Sequence, residues 1–199
     1  MAIQGPDRAS AQEKLEGGKV KGVMLSAHVG WVRDEHGENG VRALIGALPE
    51  EMRSQVESPL ASMWYPFVTL IETDRAIAYR FGDGRPEFVR ILGRHSARTG
   101  LSTTYKLFKR ESLREFFSRS APLHKQFQDF GEVRFEDLGE NSVRMIHFDY
   151  DCYSPIFCES ALGYYEEVVL LHGDRAASIR ETECQTLGAE ACIFEVEWT

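Results

Sequence analysis

Three cysteines and one glutamate near the end of the chain have the residue types and the spacing of a metal site. Glu181, Cys184 and Cys192 lie in the segment RETECQTLGAEACIF, which the pattern places at the tip of the last hairpin. Cys158 lies in the first turn of a predicted helix just before that hairpin. Thiolate sulfur and carboxylate oxygen suit tetrahedral Zn²⁺, and four protein ligands are typical of a structural site. We therefore predict a structural zinc ion held by these four residues.

The same cysteines have a second interpretation, as small buried thiols. Free cysteine is among the most buried residue types, and the Cys184-x7-Cys192 spacing is wider than the Cys-x2-Cys clamp. At Cys158, the helix dipole favours the thiolate that a metal needs. Cys152 is an alternative ligand to Glu181, although it is more simply a thiol at the end of a strand.

The remaining candidate residues do not form the pattern of a catalytic centre. His147 alternates with Met145 and Asp149 on a predicted strand, and we interpret it as a hydrogen-bonded histidine of the sheet. Asp149 and Asp151 precede a helix start, where aspartate commonly caps the helix. The sequence has no Gly-x-Ser-x-Gly elbow and no GxxxxGK phosphate loop. We therefore predict that the protein is not an enzyme.

Aromatic residues are concentrated around the predicted change from helices to strands. One interpretation is a core packed between the helices and the sheet. The other is an apolar pocket for an aromatic or fatty ligand, and its predicted lining is Phe116, Phe117, Phe127 and Phe148. A separate aromatic run, residues 63–67, predicts either a hydrophobic contact at a helix start or, if exposed, an interaction patch.

Helices are predicted for the first two thirds of the chain, because apolar residues recur there every three or four positions. Glycines interrupt the first helical stretch, and Pro49 begins a short helix where proline is tolerated. Pro122 is expected to kink or split the last helix of this part. The predicted helices span residues 20–48 with a break at 37–40, 49–58, 66–82, 86–108 and 112–130.

After Gly131 the apolar residues alternate with polar ones, which predicts strands. One helix interrupts them, and its start is marked by Ser154 as N-cap and Pro155 in the first turn. We therefore predict an α+β fold, in which a helical part packs on a four-stranded antiparallel sheet of order β-β-α-β-β. The predicted divisions are a flexible tail at residues 1–18 and a single domain at 19–199, with its helical part at 19–130 and its sheet at 131–199.

The composition limits the partners of the chain. With 23 Lys+Arg against 31 Asp+Glu the formal net charge is −8, and the cations are not clustered as binding to phosphate backbones requires, so we predict no nucleic-acid partner. The apolar runs are far shorter than the ~20 residues of a membrane span, and the N-terminus lacks a signal-peptide pattern. We expect a cytoplasmic protein with reduced thiols.

The end of the chain resembles the 4-vinyl reductase domain, a small-molecule-binding module of bacterial aromatic-compound sensors. The resemblance rests on Cys158, Glu181-x2-Cys184 and Cys192-x-Phe194, and it implies that these residues hold zinc. The front of the chain, beginning VKGVMLSAHVG, resembles haem-NO-binding domains. The layout of residues 20–199 is similar to a myxobacterial family of paralogues of unknown function.

This sequence differs from these families at positions that are functional in them. Lys109 and Asp137 stand where phenol sensors have a histidine and a tryptophan, so a phenol ligand gains no support. His95 lacks the surroundings of a proximal haem histidine, so haem is not predicted. Because the relatives pair through their helices, the resemblance implies a homodimer, with its surface between Val20 and Phe81.

Three functions follow as hypotheses. The first is a non-catalytic, zinc-stabilised sensory or adaptor domain that binds a small apolar ligand, a signalling partner protein, or both. The second is a pure interaction scaffold without a ligand cavity, as in related vesicle-tethering subunits. The third, a reductase acting on a vinyl group, is the weakest because the sequence has no nucleotide-binding fingerprint.

Overall fold

A computed structural model of the protein describes residues 2–102, 112–173 and 177–199. The continuation to residue 108 of the helix predicted from residue 86 lies outside these ranges. No helix in the described ranges is both long and apolar enough to cross a membrane.

Six helices lie in the described part of the chain, close to the positions predicted from the apolar period. Gly37, with φ 64° and ψ −172°, interrupts the first helix at the predicted break, and Pro122 lies in a 3-10 turn that ends the fifth. Ser154 caps the sixth helix by accepting a hydrogen bond from the backbone of Ile156, as predicted. The helices are α1 Gly22–Ala47, α2 Glu50–Glu57, α3 Phe67–Phe81, α4 Arg90–Ser102, α5 Leu113–Ser120 and α6 Pro155–Leu171.

The strands form a five-stranded mixed sheet and a separate two-stranded sheet, which corrects the predicted four-stranded antiparallel sheet. The strands are β1 Ala2–Gln4, β2 Lys19–Lys21, β3 Trp64–Pro66, β4 Glu132–Gly139, β5 Ser142–Phe148, β6 Ala177–Glu183 and β7 Ala191–Trp198. The large sheet has the order β1-β6-β7-β5-β4, and the small one pairs β2 with β3. The α+β class and the order β4-β5-α6-β6-β7 agree with the prediction.

The fifth strand of the large sheet comes from residues that we expected to lie in a tail outside the fold. Residues 2–4 pair in parallel with residues 178–180 of β6. The next residues stay attached, because Gln12 donates a backbone hydrogen bond to Thr186 and Lys14 pairs with Tyr153. Part of the N-terminal segment is therefore a component of the fold.

Helices α4 and α6 lie side by side and connect the two halves of the core. One core cluster lies between α5, α6 and the sheet, and the other lies mainly among α1, α3 and the start of α4. Three ion pairs join α4 to α6, each with a carboxylate that is almost completely buried: Arg90–Glu159, Arg94–Glu166 and Arg98–Glu167. The cavity described below lies beside these two helices.

Candidate functional site

The four predicted metal ligands meet in one buried cluster. Cys158, at the start of α6, lies 3.9 Å from Cys184 and 3.7 Å from Cys192, measured between sulfur atoms. Glu181 on β6 completes the group, and all four possible ligand atoms lie within 4.8 Å of one another. Cys152, the alternative ligand, is buried in the other core cluster. The sequence therefore predicts which side chains come together here.

A cation from the N-terminal segment already lies in this cluster. Arg8 donates a hydrogen bond of 3.0 Å from Nη1 to the sulfur of Cys184 and a second one from Nη2 to Glu181. Its Nε donates to Glu159 of α6 at 2.8 Å. Since Arg8 was predicted to lie in the flexible tail, no feature of its sequence surroundings marks it as a partner of residues more than 150 positions away.

The charges of the cluster follow from these contacts. Hydrogen bonds from the thiols of Cys158 and Cys192, with further support from Thr186 and Arg8, lower the pKa of Cys184 and favour its thiolate. The pKa of Cys158 is raised, because it donates to that thiolate and is buried. Burial raises the pKa of Glu181 although Arg8 opposes the rise. Arg8 thus provides positive charge where two acidic groups are buried.

A cavity of about 190 Å³ lies between the helices and the inner face of the large sheet. Helices α1, α4 and α6 form one side, and the 3-10 turn after α5, with strands β4 and β5, forms the other. Most of the lining is apolar or small. Its members include Val23, Met24, Ala27, Gly93, Ala121, Phe127, Val133, Met145, Phe157 and Ala161.

A histidine and an aspartate form a buried pair on the helical side of the cavity. His28 of α1 lines the cavity, and its Nδ1 lies 2.6 Å from Oδ1 of Asp74 on α3. The side chain of His28 is 2% exposed and that of Asp74 is 0% exposed. Desolvation by burial raises the pKa of Asp74, and the charge of His28 partly offsets the rise. A buried pair of this kind is costly unless its hydrogen bonds are satisfied.

A second polar group lines the cavity from the sheet side. Nε2 of His147 lies 2.6 Å from the hydroxyl of Tyr165, and Nδ1 lies 3.3 Å from the hydroxyl of Tyr150. Gln128 donates a hydrogen bond to Tyr150. Burial lowers the pKa of His147 to about 3, so the imidazole is neutral at pH 7. His147 is therefore a hydrogen-bonded histidine of the sheet, as the sequence predicts.

The four predicted pocket residues occupy different places. Phe127 lines the cavity, whereas Phe116 and Phe117 are buried in the core cluster behind it. Phe148 follows His147 on β5 and so points to the opposite face of the sheet, where the guanidinium of Arg134 lies 5.4 Å from its ring centroid. The structure brings only Phe127 of this set to the cavity wall.

Sequence reasoning missed His28 and Asp74. Both stand in apolar stripes: His28 falls between Leu25 and Val32, and Asp74 falls between Leu70 and Ile77 at helical spacing. A polar residue in each stripe is a signal for a buried pair, since such a residue needs a partner. The signal was present, but it does not say which two residues meet.

Several solved structures share the fold of this chain at low sequence identity. An H-NOX protein from S. oneidensis in the Fe(II)NO state has a TM-score of 0.70 and 14% identity, covering 90% of this chain and 99% of that one. The unliganded Fe(II) H-NOX protein from K. algicida has a TM-score of 0.67 and 12% identity, with coverages of 90% and 96%. This chain has the H-NOX fold.

A third H-NOX domain, an oxygen-binding one related to soluble guanylate cyclases, has a TM-score of 0.66 and 14% identity, and the match covers 90% of this chain and 95% of that domain. No protein-family model matches the sequence, and no curated protein matches it either. The resemblance to haem-NO-binding domains is thus confirmed at the level of the fold. The resemblances to 4-vinyl reductase domains and to the myxobacterial family stay predictions.

The structural zinc predicted for the cysteine cluster is corrected. The solved proteins with the H-NOX fold are haem proteins, described by their Fe(II) states and their haem distortion. In this chain, Arg8 already supplies a positive charge to Glu181 and Cys184. That cation makes a second, divalent one unfavourable, because like charges a few ångströms apart in a buried site repel strongly.

The residues around the cavity do not fit haem. Pockets for drug-sized ligands measure about 300–1,000 Å³, and a haem is larger than most such ligands, whereas this cavity measures about 190 Å³. The described lining contains no Arg or Lys to balance the two propionates. His124 and His147 have both ring nitrogens engaged in hydrogen bonds, which leaves His28 as the sole described lining histidine with a free nitrogen.

Proposed function

We propose that this chain is a non-catalytic sensory domain that binds a small, uncharged and largely apolar molecule in the cavity between the helices and the sheet. The cavity itself is the observation that carries the proposal. Its volume of about 190 Å³ exceeds that of an engineered cavity of ~150 Å³ that binds benzene. A ligand of one ring with a few further atoms, or a short chain, matches this size.

The H-NOX fold supports the sensory part of the proposal. Similar solved domains hold a small ligand, such as NO or oxygen, within this fold. Here the same architecture surrounds an apolar space with two buried polar pairs, which are suited to orient a small molecule. The predicted homodimer, signalling partner and cytoplasmic location stay predictions.

The test is to fill the cavity without disturbing the rest of the protein. Ala161 of α6 lines the cavity, so Ala161→Leu removes part of its volume. Ala43, half-buried on α1 and outside the described lining, gives the matched control Ala43→Leu. We expect single-ring probes such as isopropylbenzene to raise the melting temperature of the wild type and the control but not of Ala161→Leu. Equal shifts in all three proteins would contradict the proposal.

A pure interaction scaffold is the second candidate, and an exposed apolar patch favours it. Leu60, Met63 and Trp64 are exposed in and beside the loop before α3, and Lys21 lies 4.2 Å from the Trp64 ring centroid. Phe67, at the end of the same aromatic run, is fully buried. If no probe stabilises the wild type, the scaffold function takes precedence.

A further inference from the structure

The His28–Asp74 pair is incomplete in a way that points to a ligand. Oδ1 of Asp74 meets Nδ1 of His28, but Oδ2 is buried and has no hydrogen-bond partner among the described residues. Nε2 of His28 likewise has no protein partner in the described ranges, and the ring lines the cavity. The free nitrogen is therefore available to a molecule inside the cavity.

The hydrogen on that nitrogen follows from the charge of the pair. A negative Asp74 beside a neutral His28 would leave a buried net charge with one carboxylate oxygen unpaired, which is costly. Two states avoid this cost: an ion pair with a protonated imidazole, or a protonated Asp74 that donates to Nδ1. In both states Nε2 carries a hydrogen, so His28 presents a donor to the cavity. The raised pKa of Asp74, caused by burial, agrees with a proton held within the pair.

The other polar groups of the lining strengthen this assignment. The hydroxyl oxygen of Ser96, on α4, is buried without a hydrogen-bond partner in the described part of the chain and can also donate. The described lining contains no Arg or Lys to balance a ligand carboxylate, and Asp74 already balances His28 if its imidazole is protonated. An anionic ligand would also lie close to the carboxylate of Asp74. A neutral acceptor matches this environment better than an acid does.

Building on the proposed function, we infer that the ligand is a neutral carbonyl compound with a single ring or a short chain, whose oxygen accepts a hydrogen bond from Nε2 of His28. Its apolar body lies against the aliphatic and aromatic lining. The Asp74 carboxyl positions the imidazole through Nδ1. Ser96 is available as a second donor to the carbonyl oxygen.

The experiment compares two probes of equal size, acetophenone and isopropylbenzene, which differ in the carbonyl oxygen. Their dissociation constants are measured by calorimetry for the wild type and for His28→Leu/Asp74→Leu. The double replacement removes the pair as a unit, because replacing a buried ion pair with apolar residues of similar volume is often tolerated, whereas leaving one partner is not. We expect the preference for acetophenone over isopropylbenzene to fall about three- to tenfold in the variant if the donor is a neutral imidazole, and by more than about tenfold if the imidazole is protonated.

A control variant and a direct measurement complete the test. Glu72→Leu/Arg75→Leu removes the Glu72–Arg75 ion pair of the same helix as Asp74, together with the Arg75–Glu13 pair, all outside the cavity lining, and it should keep the wild-type preference. In ¹⁵N NMR spectra of the histidine rings, adding acetophenone should shift the signal of the protonated Nε2 of His28 in the wild type. This measurement requires no variant.

The outcomes separate the two proposals. If both probes bind and the preference is the same in the wild type and the variant, or Nε2 of His28 does not respond, the carbonyl assignment is overturned while the ligand-binding function stands. If neither probe binds to the wild type, the cavity does not take ligands of this size, and both proposals are overturned.

Discussion

A Cβ atom on Gly93 would lie 1.9 Å from the carbonyl oxygen of Ser160. The same closeness recurs at Gly163, where a Cβ would lie 2.0 Å from the carbonyl oxygen of Arg90. Backbone atoms cannot move aside as the tip of a side chain can, so α4 and α6 lie at a separation that only glycine permits. Gly93 and Ser160 both line the cavity. The helix contact therefore also sets the width of the proposed binding site.

Gly93→Ala is expected to destabilise the protein, because the added methyl group pushes α4 away from α6. Overpacking of this kind costs about 1–3 kcal/mol, occasionally more, and the loss would appear as a lower midpoint in urea denaturation. Gly46→Ala, near the end of α1, is the matched control, since a Cβ there meets no atom within 4 Å. The control should be neutral or more stable. Equal effects of the two changes would contradict the close contact.

Arg8→Gln is expected to destabilise the protein by about 3–5 kcal/mol, because it leaves Glu159 and Glu181 as buried carboxylates with one partner fewer. Both carboxylates are almost completely buried, and the side chain of Arg8 is 5% exposed. Arg85→Gln removes an exposed ion pair with Asp83 and should leave the stability almost unchanged. Chemical denaturation measures both. A small effect of Arg8→Gln would show that the N-terminal segment is not held at the cluster.

The protein is expected to become less stable as the pH is lowered, because His147 is buried in its neutral form. Its pKa is about 3 in the folded chain, lowered by burial, and about 6.5 when unfolded. Between these pH values the unfolded chain binds a proton at His147 that the folded chain does not. The contribution of the neutral imidazole to the free energy of unfolding is therefore fully present above pH 6.5 and is lost as the pH falls toward 3. The cost is up to about 1.4 kcal/mol per pH unit.

The check is the slope of unfolding free energy between pH 6.5 and 5 in the wild type and in His147→Gln. The variant keeps a polar side chain but lacks the titrating ring, so its slope should be shallower. A variant with the wild-type slope would mean that other groups account for the whole pH dependence.

Haem is expected not to bind in stoichiometric amounts. The cavity is too small for it, and the described lining lacks cations for the propionates. Protein produced with added haem precursor and analysed by its absorption spectrum should therefore carry far less than one haem per chain. An H-NOX protein treated in parallel is the positive control. A strong Soret band at a ratio near one would refute the prediction.

Local sequence signals predict most of the elements. The change of apolar period at Gly131, the Ser154 cap with Pro155, and the break at Gly37 are each set by a few neighbouring residues. The convergence of Cys158, Glu181, Cys184 and Cys192 also follows from local pattern, because it requires only that a helix start lies beside a hairpin tip.

Features that depend on distant contacts could not be predicted in the same way. β1 has three residues, too few for a period, and it pairs with a strand about 175 positions later in the chain. The cation at the cysteine cluster is Arg8, which lies in the same N-terminal segment as β1. The cavity depends on how α4 and α6 approach each other, and no local period of residues encodes that distance.

The position of β7 has a consequence for biosynthesis. Residues 191–198 come after every other strand of the large sheet in the sequence, yet they lie inside that sheet, between β6 and β5. Translation proceeds from the N-terminus, so until residue 198 has left the ribosome β5 and β6 each expose an unpaired backbone edge. Such edges readily pair with other chains. A message truncated a few codons before residue 191 would therefore produce an aggregating chain rather than a shortened, folded domain.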